Sequence, residues 1–96
     1  MSLDKNSYSL VNENVRCSGT KPTHKGFYCG GNLCSRRSSL AFVANDECRE
    51  VCDSNDACKF YAVWNTNWCE TYSECPSEAH DGHYKIRLWK QNDVLG

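Results

Sequence analysis

Cysteine is the residue type with the most chemical scope in this chain: there are eight in 96 residues, five of them between Cys48 and Cys75. A thiol can be a nucleophile, a metal ligand or half of a crosslink, and spacing helps separate these roles. Redox and zinc sites commonly use C-x-x-C pairs. The sequence has none, its tightest spacing being the C-x3-C of Cys48 and Cys52. A zinc site built from Cys75, His80, His83 and one further cysteine is the structural rival, but its ligand spacing is poor. Hydrolase signatures of the G-x-S-x-G and H-E-x-x-H kinds do not occur in the sequence. We therefore expect no enzyme activity, no metal and no cofactor. Crosslinking remains: an even number of cysteines at this density in a short chain is the usage of proteins that fold where thiols are oxidised. The expected location is secreted or extracellular, including a secretory organelle before release.

A chain of this length forms one domain and buries too little surface for packing alone to give a wide margin of stability. A Cys48–Cys69 bridge would close a loop of about twenty residues and contribute roughly 3 kcal/mol in the chain-entropy account. The formal net charge of -1 supplies no strong field for nucleic acid. No stretch approaches the roughly 20 apolar residues needed to span a bilayer, so membrane insertion is not expected. Residues 1–7 read as a tail or cloning remnant and residues 8–93 as the domain. With no secretory signal at the start, the expectation is a piece of a longer secreted or membrane-anchored protein.

Tyr8 to Arg16 alternates incompletely, with Tyr8, Leu10 and Val15 as burial candidates, and predicts one or two short strands. Cys17 to Ser39 is rich in turn chemistry (Ser18-Gly19, Lys21-Pro22, Gly30-Gly31) and predicts an irregular stretch. Asn45-Asp46 suit an N-cap, and Glu47 and Glu50 suit the positive end of a helix dipole. Cys48, Val51 and Cys52 then share one helix face. Asp53 to Asp56 end the helix after about two turns. Cys58 to Trp64 alternates Cys58, Phe60, Ala62 and Trp64 against Lys59, Tyr61 and Val63, which predicts a strand. Asn65-Thr66-Asn67 turns it back into Trp68 to Tyr72, making a hairpin. A polar loop through His80 and Gly82 should lead into a last strand over His83 to Lys90. The helix thus presents two sulfurs to one side and the hairpin two more. Nested pairing joins Cys52 with Cys58 and Cys48 with Cys69, although eight cysteines allow about 105 connectivities.

The residues Phe42 to Glu47, the C-x3-C on the helix, the Cys58-Lys59-Phe60 triplet and the strand cysteine Cys69 together resemble the PAN/apple domain. The likeness covers Leu40 to Tyr72 well and the rest loosely. It implies an α+β disulfide-rich fold, a curved antiparallel sheet of about five strands cradling one short helix. It supports the same two pairings, and beside it we expect Cys29 with Cys34 and Cys17 with Cys75. It also implies a noncatalytic recognition module, since members serve in adhesion by binding protein or carbohydrate, some of them in adhesins secreted by apicomplexan parasites.

Sugars offer apolar C–H faces ringed by hydroxyls, so an aromatic ring beside polar groups is a chemically suitable receptor. Lys59 and Tyr61 on one strand face, and Trp64 and Trp68 at the hairpin ends, are candidates, though Phe60 and Trp64 read first as core. His83 and Lys85, with His80 and Tyr84, stand where the polar loop enters the last strand. Arg36 and Arg37 form a cationic pair able to meet a sulfated glycan. The expected partner is a cell-surface glycan or an extracellular protein; the alternative is a protein-interaction or structural module with no sugar binding.

Overall fold

The computed structural model describes residues 7–29, 32–33 and 45–92. Eight strands and one helix follow in the order β1 (Tyr8–Glu13), β2 (Val15–Ser18), β3 (His24–Cys29), β4 (Asn32–Leu33), α1 (Asn45–Asp53), β5 (Phe60–Trp64), β6 (Trp68–Tyr72), β7 (Ser77–His80) and β8 (Ile86–Gln91). Six strands form an antiparallel sheet in the order β1-β8-β5-β6-β3-β4, and β2 pairs with β7 in a small second sheet. The result is a small α+β domain held by disulfides.

The central hairpin follows its sequence pattern. Asn67 takes a left-handed φ of 70° and donates its N–H to the Trp64 carbonyl at 2.9 Å, a conformation Asn accepts more readily than most residues. The helix ends where polar residues begin. Ser54 and Asn55 donate their N–H groups to the Glu50 and Cys52 carbonyls, and the Asn55 side chain accepts from the Ala57 N–H.

Period-two alternation in β5 divides its side chains between two cores. Ala62 and Trp64, with Phe60 beside them, pack with Tyr72, Ile86, Leu88, Val15 and Cys17. Tyr61 and Val63 pack on the opposite face with Cys48, Cys52, Cys58 and Cys69, flanked by Tyr8 and Trp89. The helix lies over β5, β6 and β3, and β2 packs against β8. Each face of the sheet therefore has a covering layer, which is why β5 is apolar on both sides.

Among the described residues three bridges lock this arrangement: Cys48–Cys69, Cys52–Cys58 and Cys17–Cys75. The first two join the helix to β6 and to the residue pair preceding β5, and the third ties β2 to the residue pair preceding β7. The expected Cys29–Cys34 pair lies outside the described residues, as do Arg36, Arg37 and the Leu40 to Ala44 lead into the helix.

Several expectations need correction. His24 to Cys29 is a strand, not irregular, because its backbone completes the open edge of β6, His24 to Phe27 pairing with Thr71 to Trp68. Ser77 to His80 is likewise a strand, pairing with Val15 to Ser18. Cys58 precedes the strand and sits in the helix-side core, not on the Phe60 face, because its bridge to Cys52 draws it there. The last strand starts at Ile86, since the Asp81 side chain holds the preceding residues in a turn. The main sheet has six strands where about five were expected.

One buried polar group gives the fold a pH signature. Burial, then the bond to Glu70, pushes the Tyr72 phenol far above its ordinary range, while Arg16 and the Cys17 N–H act in the opposite sense. A raised phenol pKa means that the unfolded chain releases this proton first, so the stability is present below about pH 10 and is lost as pH rises beyond it. Urea midpoints measured from pH 7 to 11 should fall at the alkaline end. In Tyr72→Phe that fall should be shallower, and an unchanged slope would remove Tyr72 as its source.

Candidate functional site

Three chain reversals meet at one end of the main sheet. The turn between β1 and β2 passes through Asn14, whose φ of 63° is left-handed. Its N–H donates to the Ile86 carbonyl at 2.7 Å, and its carbonyl accepts from the Asp81 N–H at 3.0 Å. The hairpin turn joins the same cluster through the Asn65 N–H and the Lys85 carbonyl, 2.9 Å apart. Asp81 organises the third reversal, its Oδ1 accepting from the His83 N–H at 2.7 Å and the Tyr84 N–H at 3.2 Å. The bond from His83, foremost, and that from Tyr84 hold the Asp81 carboxyl below the usual aspartate range, with the nearby charges of His83 and Arg16 adding to them.

These bonds fix a cleft of about 240 Å³ lined by Glu13, Asn14, Lys85, Ile86 and Arg87. It is polar at the rim, with two cationic side chains, one carboxylate and one amide. His83 and Tyr84 precede Lys85 in the loop that leads into the cleft, their rings 6.5 Å apart, and Tyr84 is 46% exposed. An exposed ring next to fixed donors and acceptors can hold a ligand by contact and hydrogen bonding.

The described residues among those proposed from the sequence separate into four groups. Lys85 lines this cleft, while His83 and Tyr84 precede Lys85 in the same loop and are not among the residues that line the cleft. Lys59 is exposed but lies at the far end of β5, where its backbone bridges the Tyr72 carbonyl and the Gln91 N–H. Tyr61 is 1% exposed and Trp64 7%, so neither ring is presented to solvent: the helix covers the first and the β2 layer the second. Trp68 stays partly exposed, with Phe27 packed edge-on against it at 4.7 Å.

Glu13, Asn14 and Arg87 went unrecognised in the sequence, because a cleft between strands far apart in the chain leaves no local spacing. Glu70 also did, although a carboxylate alternating with Trp68 and Tyr72 on a buried strand face is a visible irregularity. Cys75, the cysteine of the proposed zinc set, is bonded to Cys17. Among the described residues no three His, Cys, Asp or Glu side chains converge on a metal position.

The fold and site define a small disulfide-bonded α+β domain with a polar cleft at one sheet end. Comparison of the chain with protein-family models, curated proteins and solved structures returned no match.

Proposed function

We propose that this domain is a noncatalytic extracellular recognition module that binds carbohydrate or protein in adhesion, in the manner of the PAN/apple domains its helix-and-hairpin cysteines resemble. The observation that carries the reading is the cleft at Glu13, Asn14, Lys85 and Arg87, with the exposed Tyr84 next to Lys85 in the chain. Backbone hydrogen bonds build the cleft, so the ordering cost of binding falls on the exposed Lys85 and Arg87 side chains and not on the backbone. Lys85, Arg87 and Asn14 supply donors, Glu13 accepts, and Tyr84 offers an apolar face. The pairing of Cys48 with Cys69 and of Cys52 with Cys58, with the helix laid across an antiparallel sheet, supports the resemblance.

One observation favours a protein-only partner: Leu10 and Val11 are 44% and 43% exposed on the edge strand β1. A multivalent glycan array with the oxidised domain, repeated with free-sugar competitors, separates the readings. A competed signal weakened about tenfold by Tyr84→Ala or Lys85→Ala is the expected result. Both side chains are exposed, so both variants should fold. Full binding in both would remove the cleft from the reading, and a blank array would leave the protein-only form.

A further inference from the structure

Glu70 lies in the middle of β6 and is only 8% exposed. Carboxylates are seldom buried this far without a cation or a task. Its Oε1 accepts from the Tyr72 hydroxyl at 2.5 Å and its Oε2 from the Trp68 indole N–H at 2.9 Å. Both donors are neutral, and each oxygen keeps a further acceptor direction. Lys25 stands opposite on β3 with its side chain exposed, and Ala62 stands opposite on β5. Among the described residues no cation forms an ion pair with Glu70. The rings around it, Trp68, Phe27 and Phe60, are each only partly buried.

We propose that this face, with Glu70 as its floor and Trp68 as its wall, binds an arginine side chain of a partner protein. A guanidinium is planar and offers parallel N–H donors to a carboxylate, which suits the one acceptor direction that each Glu70 oxygen retains. It also stacks on an indole face, the strongest cation–π surface among side chains. Burial strengthens both attractions, because little water competes with them. The Phe27 edge against Trp68 and the indole N–H bond hold the wall in place before any ligand arrives.

The inference rests on the recognition-module reading for its partner class, while its chemistry can be tested separately. N-acetyl-arginine amide is titrated into the oxidised domain while the Trp68 indole N–H resonance is followed, with the lysine and the neutral citrulline derivatives as probes. The expected result is a saturable shift at millimolar arginine derivative, weaker with lysine, absent with citrulline and lost in Glu70→Gln. An equal response to citrulline, an equal response in Glu70→Gln, or no saturable shift overturns the proposal. Should Glu70→Gln fail to fold, the exposed Lys25→Ala decides. Removing that competing cation should tighten arginine binding several-fold, and unchanged or weaker binding overturns the proposal. A glycan signal without arginine binding would remove this inference alone, and arginine binding with a blank array would remove only the carbohydrate arm of the proposed function.

Discussion

A Tyr61→Ala variant should lose about 3–5 kcal/mol of stability, the usual cost of deleting a large buried ring. That is a large share of the roughly 5–15 kcal/mol that holds a small domain together. The ring lies at the centre of the helix-side core. Tyr8 meets it edge-on at 5.0 Å, and Trp89 stacks nearly parallel to it at 6.1 Å. Tyr8 is tied in turn to the end of the helix by a 2.8 Å bond from its hydroxyl to Asp53 Oδ1, so removing Tyr61 loosens the contact between β1 and α1. Urea denaturation followed by circular dichroism measures the loss. A change within about 0.5 kcal/mol would be that of an exposed residue, and would return Tyr61 to the surface role that its place opposite Phe60 suggested.

Replacing Cys17 and Cys75 together by alanine should cost about 4 kcal/mol, because their bridge spans 58 residues and restricts the unfolded chain the most. On the same basis the 21-residue Cys48–Cys69 separation is worth about 3 kcal/mol, and the 6-residue Cys52–Cys58 separation about 2 kcal/mol. Packing works in the same direction for the longest bridge. The β2–β7 pair has only four residues in register, yet it brings Val15 and Cys17 onto the Ile86 and Leu88 face. Hydrogen exchange of the double variant should show β2 and β7 losing protection before the β5–β6 hairpin does. If the Cys52–Cys58 variant proved the least stable of the three, loop entropy would not be what ranks these bridges.

Much of the local structure was legible in the sequence. The i, i+4 spacing of Cys48 and Cys52 fixed a helix face, and the alternation from Phe60 to Trp64 with the Asn65-Thr66-Asn67 break fixed a hairpin. Nested pairing and the PAN/apple resemblance pointed to the Cys48–Cys69 and Cys52–Cys58 bridges, although the cysteine count alone left about 105 connectivities open. The strands at His24 and Ser77 were not legible. Each exists because a distant edge, β6 or β2, offers unpaired backbone groups, and turn-rich residues tolerate that pairing without announcing it.

The candidate site divides in the same way. His83 and Lys85 were recognisable as polar residues entering the last strand, but the Glu13, Asn14 and Arg87 that complete the cleft come from strands brought together only by folding. Period-two alternation tells which residues of β5 share a face, and cannot tell whether that face meets water. The sequence alone therefore determined the helix and the hairpin, both set by local backbone geometry, and the density of cysteine available for crosslinking. Tertiary structure alone decided that Tyr61 and Trp64 are core, that Glu70 lies buried between two neutral donors, and that the cleft stands at the sheet end. The reason is that burial depends on which layer covers a face, and long-range pairing sets those layers.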